Sequence, residues 1–166
     1  KDGDAQKPEF LAINPMGKLP ALTDGGTVVT ELAAIALYLG DRYGYGSLAP
    51  KVDDPARGSY LRWSFFAANV IEPGFTAKVN GWTAKESQVG WGNYETMLGT
   101  MEHAVTGRDW LLGDTFSMAD VVFGGTVRFM LMVKVGYPTR EEERAIMDRQ
   151  TGAASPAFAL PFSSFW

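Results

Sequence analysis

Two short stretches hold the residues best placed to do chemistry. In "VTELAAI" (29–35), Glu31 opens an apolar run that predicts a helix. Its carboxylate then stands beside first-turn amides that lack intrahelical partners, at the positive end of the helix dipole. A ligand carrying both an amine and a carboxylate suits this pattern, with the amine on Glu31 and the carboxylate on the Leu32 amide, which amounts to recognition of an α-amino acid head group. A glutamate that only complements the dipole is the alternative reading. In "GKLPAL" (17–22), Pro20 interrupts a strand-like run although proline cannot donate to a ladder. It marks either an edge strand entered by a turn or a cis Leu19–Pro20 bond that tips a backbone edge toward a ligand. Lys18 is available to a carboxylate in the same place, or meets only water.

Other chemistries find little support. The 166 residues contain no cysteine, which excludes disulfides, thiolate metal sites and a cysteine nucleophile within them and fits a reducing compartment. His103 is the one histidine; a metal needs several ligands, none is grouped with it, and no metal site is assigned. A net charge of −4 lacks the basic footprint of a nucleic-acid binder, and no Lys/Arg cluster points to an anionic membrane surface. The longest apolar stretch, 118–135, is interrupted by Asp120, Arg128, Lys134 and the pair Gly124-Gly125, so it reads as a buried helix rather than a membrane span. "KDGDAQKPEF" at the start shows no signal-peptide pattern. With 46% hydrophobic and 20% charged residues, a soluble globular protein is expected.

The elements that must position these residues follow from turn and cap signals. Residues 8–13 form a short polar-to-apolar segment, "NPMG" (14–17) a turn, "KLPALTD" (18–24) a strand, "DGG" (24–26) a hairpin loop and "TVVT" (27–30) a second strand. Thr30 is expected to cap a helix from 31 to about 43, apolar nearly all round and so in need of cover on several sides. "GYGSLAPKVDDP" (44–55) reads as a linker, with Asp54 capping a helix whose first residue is Pro55. Helical periodicity then runs over 56–72, with a kink or stop at Pro73-Gly74, and over about 88–105, 117–135 and 140–150. "FSMADV" (116–121) is a capping box in which Ser117 accepts the Asp120 amide and Asp120 reaches back to the Ser117 amide, with Phe116 and Val121 as a hydrophobic staple. Its cap is worth roughly 0.5–2 kcal/mol and belongs to folding, not catalysis. Tyr38, Tyr43 and Tyr45 read as packing or surface residues.

At this point the residues resemble a family. "NPMGKLPALTDGGTVVTELAAIALYL" (14–39) is similar to the back half of the thioredoxin-like domain of the cytosolic glutathione S-transferases. "LRWSFFAANVIEP" (61–73) and "WLLGDTFSMADVVFGG" (110–125) resemble the fourth and sixth helices of their helical domain. The resemblance implies an α+β fold: a partial thioredoxin-like N-terminal domain (1–45), with two strands and a helix retained, followed by an all-α C-terminal domain (55–166). It implies a cis Pro20 that leaves the main chain of Leu19 to pair with the cysteinyl unit of glutathione. It also implies Glu31 on the γ-glutamyl amine, the Leu32 amide on the γ-glutamyl carboxylate, and Lys18 near the glycine carboxylate.

Leu32 replaces the serine or glycine usual in the family, so a hydroxyl contact is lost while the amide remains. The strand–helix–strand unit that precedes this segment in the family, and that carries the thiol-activating residue, has no counterpart here. An N-terminally incomplete chain is therefore expected, and no catalytic residue is assigned. Tyr60 and Trp63 are candidates to line the pocket of an apolar electrophile, although a pair at this spacing is more often core. The resemblance further implies glutathione as co-substrate, a cytoplasmic location and a homodimer; the alternative function is a non-catalytic binding or scaffold protein on the same architecture.

Overall fold

The computed structural model describes residues 3–132. A 3-10 turn (Asp4–Gln6) and a one-turn helix, α1 (Pro8–Leu11), open it; Pro8 presets the helical φ where the sequence reading sees only a short segment. The strands β1 (Ala21–Asp24) and β2 (Thr27–Thr30) pair antiparallel, with Ala21 opposite Thr30 and Asp24 opposite Thr27. Gly25 and Gly26 make the turn at φ 54° and 84°, the positive angles that a two-residue hairpin of this hand demands and that glycine adopts without a Cβ clash. Pro20 precedes the first ladder residue and removes no ladder bond.

Helix α2 (Leu32–Tyr43) follows. Thr30 does not cap it: Thr30 is held in the ladder opposite Ala21, and Glu31 occupies the N-cap position without a side-chain cap bond. Only a stripe of small residues, Ala33, Ala36 and Gly40, is fully buried, so complete cover reaches one narrow face rather than the several that the apolar sequence predicts.

The linker is stitched rather than loose. Gly44 O accepts amides of Ser47, Leu48 and Ala49, Val52 N donates to Tyr45 Oη, and Leu48 O accepts Met118 N at 2.9 Å. Asp54 accepts Ala56 N at 2.8 Å just ahead of helix α3 (Ala56–Phe66), whose N-cap position is taken by Pro55 rather than by Asp54. The helix does not stop at Pro73. It passes through a π turn (Ala67–Ile71) into α4 (Glu72–Val79), with Pro73 in the first turn. The wide turn contains Asn69, the residue whose carbonyl a regular helix would drive into the proline ring.

Helix α5 (Tyr94–Val105) starts six residues later than the periodicity suggests, because Asn93 caps it by accepting Thr96 N at 2.8 Å. Gln88 instead lies in a 3-10 turn. Helix α6 (Met118–Met132) lies against α2, α3 and the π turn. The expected helix 140–150, the continuation of α6 to 135 and the tail 156–166 lie outside the described residues.

The core sits among the helices, where Trp63 meets Phe66 and Phe123 edge-on at 5.4 and 6.0 Å. The cap of α6 is firmer than its motif. Asp120 accepts Ser117 N and Ser117 Oγ on one oxygen and Leu111 N on the other, all within 3.0 Å. The Ser117 hydroxyl in turn accepts Ala119 N, not the Asp120 amide. Phe116 packs on Trp110 at 4.8 Å, while Val121 stays exposed. Among the described residues, no helix is long and apolar enough to cross a membrane and no cluster of metal-ligating side chains occurs.

Candidate functional site

The site is built at the open end of the hairpin. The register that pairs Ala21 with Thr30 sets Pro20 and Glu31 one step beyond the last ladder pair, so the segment before β1 and the start of α2 are neighbours. The Leu19–Pro20 peptide is cis. Leu19 is 75% exposed, and among the described residues its main-chain N–H and C=O make no hydrogen bond.

Glu31 stands on the other side with φ 71° and ψ 128°, the one non-glycine residue at positive φ among those described. Such a conformation costs on the order of 1–3 kcal/mol and persists where surroundings over-determine it, commonly at ligand sites. Its carbonyl accepts Ile35 N, while its carboxylate is exposed and takes no partner among the described residues. Leu32 follows as the first helical residue, with an amide that no intrahelical carbonyl can reach. A main-chain edge, a carboxylate and a helix-end amide thus lie side by side.

Two residues that the sequence reading does not assign to the site hold this edge in place. Asn14 is almost fully buried; its Nδ2 donates to Lys18 O at 2.7 Å and its Oδ1 accepts Met16 N at 3.1 Å. Gln6 Nε2 donates to Gly17 O at 3.0 Å. A Cβ at Gly17, where φ is 60°, would collide with the Gln6 side chain. The Asn-Pro pair signals this Asx turn, but nothing local signals the reach of Gln6 across 11 positions. Lys18 lends its carbonyl to the turn, and its ammonium is exposed.

The far end of the hairpin is clamped to α2 through Asp24. Its Oδ2 accepts Tyr43 Oη at 2.7 Å and Tyr38 Oη at 2.9 Å and lies 2.8 Å from Arg42 Nε. These donors, Tyr43 foremost, hold the carboxyl below its usual range, and burial pushes the Tyr38 phenol up. Tyr38 and Tyr43 are therefore fasteners of the hairpin. Tyr45, by accepting Val52 N, fastens the linker.

Tyr60 and Trp63 are a correction. Both are core residues, 0% and 3% exposed, because the helix face that carries them turns toward α2 and α6. Neither lines either of two shallow hollows of about 240 and 250 Å3 among the described residues, one at Ser59 and Arg108 and the other at Phe66 and Trp91. His103 is exposed on α5.

Comparison with known families decides the kinship. The profile of the glutathione S-transferase C-terminal domain matches residues 65–154, and that of the glutathione S-transferase N-terminal domain matches residues 1–42. The chain belongs to the glutathione S-transferase family. Among its relatives within the family, glutathione S-transferase GstA of Escherichia coli O157:H7 is 29% identical over 143 residues, covering 85% of this chain and 71% of the relative. Glutathione S-transferase D7 of Drosophila melanogaster is 29% identical over 130 residues, covering 76% of this chain and 58% of its own. A glutathione transferase from Burkholderia graminis, crystallised with two glutathione molecules bound per subunit, superposes with a TM-score of 0.64 at 28% identity, covering 93% of this chain and 70% of that one. The α+β architecture, a two-stranded thioredoxin-like remnant followed by helices, is therefore that of a glutathione S-transferase spanning about six- to seven-tenths of these relatives.

Proposed function

We propose that residues 18–32 hold glutathione and that the protein catalyses attack of the glutathione thiolate on an apolar electrophile. The observation that carries this reading is the unpartnered main chain of Leu19 beside Glu31 and the first amide of α2. An extended cysteinyl unit adds to the Leu19 N–H and C=O as a short antiparallel strand. The Glu31 carboxylate receives the γ-glutamyl amine, the Leu32 amide receives the γ-glutamyl carboxylate, and Lys18 neutralises the glycine carboxylate.

Residues 1–45 act as the glutathione-binding unit and 55–166 as the helical unit that closes the cleft. Chemistry requires a lowered thiol pKa and alignment with the electrophile; no residue of this chain is assigned the first task. The protein works in the cytoplasm as a homodimer that packs the first unit of one subunit on the helices of the other. A non-catalytic glutathione-binding protein is the second reading, favoured by Leu32, whose 43%-exposed side chain supplies no hydroxyl at the amino acid head group.

Calorimetric titration with glutathione tests the site. Wild-type protein is expected to bind and Glu31→Ala to bind about tenfold or more weakly, the loss of a charge-assisted hydrogen bond of roughly 1.5–3 kcal/mol. Equal affinities would remove Glu31 from the site. Turnover of a chromogenic aryl halide separates the enzyme from the binding protein.

A further inference from the structure

The contact between α2 and the helical unit is built from small residues. Ala33 and Ala36 are buried along α2, and a Cβ on Gly40 would lie 2.9 Å from Met118 Cγ, 3.0 Å from Tyr60 Oη and 3.2 Å from Ala49 Cβ. Such a seam brings backbones close but has few protruding side chains to fix register along the helix axis. Two polar side chains of α3 reach it. Tyr60 Oη is buried there without a partner. Arg57 makes three bonds with its guanidinium: Nη1 donates to Asp41 Oδ1 at 2.6 Å and Nη2 to Asp41 Oδ2 at 2.8 Å, and Nη1 also donates to Pro50 O at 2.9 Å.

This fork grips α2 through Asp41 and the linker through Pro50, from a side chain only 16% exposed, with its Cζ 5.1 Å from the Tyr60 ring centroid. A bidentate guanidinium–carboxylate pair fixes angle as well as distance, which a lysine ammonium at the same place does not. The Asp41 carboxyl is held low by this arginine, so the pair is fully charged at neutral pH.

We propose that Arg57 is the positioning residue of the seam: by holding Asp41 and the Pro50 carbonyl together, it fixes the direction in which the edge at Leu19, Glu31 and Leu32 faces the helical unit. It touches neither glutathione nor the electrophile. The proposal rests on the reading of residues 18–32 as a glutathione site only for its catalytic consequence. The glutathione contacts all lie on one side of the seam, so a looser seam leaves that affinity intact and misaligns the bound thiol with whatever the helices present to it.

The absence of native cysteine permits a clean test. Spin labels at Thr23→Cys on β1 and Glu102→Cys on α5, both exposed positions, report the distance across the seam by pulsed electron resonance. Arg57→Ala is expected to broaden and shift that distribution, and Arg57→Lys to do so to a lesser degree. Glutathione affinity is expected to stay within about twofold of wild type, as for a remote independent site, while kcat for the electrophile falls about tenfold or more from misalignment. Should Arg57→Ala not fold, Arg57→Lys and Asp41→Asn carry the measurement. Wild-type distributions in the folded variants would overturn the proposal. A wild-type protein that binds no glutathione would instead overturn the site reading, with the distance data still deciding the role of Arg57.

Discussion

The hairpin unit and the helical unit hold their shapes by different means. Up to Tyr43, the fully buried residues are small or polar: Asn14, Gly17, Ala33, Ala36 and Gly40. Shape there comes from directed bonds, through Asn14 and Gln6 at one end of the hairpin and Asp24 at the other. Met16, Leu19, Val28 and Leu32 are left exposed. From Tyr60 onward, bulk takes over, with Tyr60, Ile71, Met97, Val122 and Met130 all nearly inaccessible. Directed bonds keep a polar edge in register while leaving it uncovered, which a binding edge requires. Apolar bulk supplies free energy without directing anything outward.

The largest test of this contrast is a pair of truncations followed by denaturant unfolding. Trp63→Ala removes a side chain wedged between Phe66 and Phe123 and is expected to cost about 3–5 kcal/mol. Leu19→Ala, at a comparably apolar but exposed position, is expected to stay within about 0.5 kcal/mol. A large loss at Leu19 would mean that the edge is part of the chain's own packing and not open to a ligand.

Next in size is the boundary between the two regimes. Gly40→Ala places a methyl group within 3.2 Å of Met118, Tyr60 and Ala49, and is expected to destabilise by roughly 1–3 kcal/mol through overpacking. Thermal unfolding of the single variant, and of one with Tyr60→Phe added, measures how much of the strain lies against the hydroxyl.

The polar half is expected to respond to acid more than the bulky half. The Asp24 carboxyl is held below its ordinary value of 3.8, first by Tyr43, then by Tyr38, with Arg42 contributing. A lowered folded pKa means that the clamp's contribution is complete above the unfolded value and disappears as pH falls below about 4 and through the folded one. Asp24→Asn is expected to flatten the stability-versus-pH curve there. An unchanged acid limb would show that the clamp exists without contributing.

What the sequence makes legible is local. The paired glycines of the hairpin, the Asn-Pro turn, Asp54 before Pro55 and the Ser-x-x-Asp box each act over three or four residues, where spacing dictates geometry. Glu31 reads as a carboxylate at a helix start, but not as the N-cap residue at positive φ, because pairing with Ala21 across the hairpin holds Thr30 in the ladder. Pro73-Gly74 reads as a kink or stop, since no residue pattern announces a π turn that can absorb the proline. Arg57 and Asp41 lie 16 positions apart, and Asp24 and Tyr43 lie 19 apart. Their pairing is a product of helix docking, and sequence spacing carries no trace of it. Tyr60 and Trp63 show the converse: an aromatic pair on a helix face says that the face is apolar, not whether a ligand or another helix will cover it.

The smallest effect carries the most discriminating sign. Tyr60→Phe removes only a hydroxyl, but that hydroxyl is buried without a partner, and an unsatisfied buried donor costs about 1–3 kcal/mol. The ring packing survives, so the variant is expected to be more stable by about 1 kcal/mol at neutral pH. Burial, with Asp41 adding to it, also pushes the phenol up to about 12 from an ordinary 10.0. An unfolded tyrosine therefore ionises first as pH rises, so the stability gained by keeping Tyr60 protonated is whole below pH 10 and is lost progressively toward about 12. Phenylalanine has no such loss, so the advantage of the variant is expected to widen across that interval in urea titrations. A destabilised variant would mean that the hydroxyl has a partner at the seam after all, and that directed bonding reaches further into the helical unit than the comparison allows.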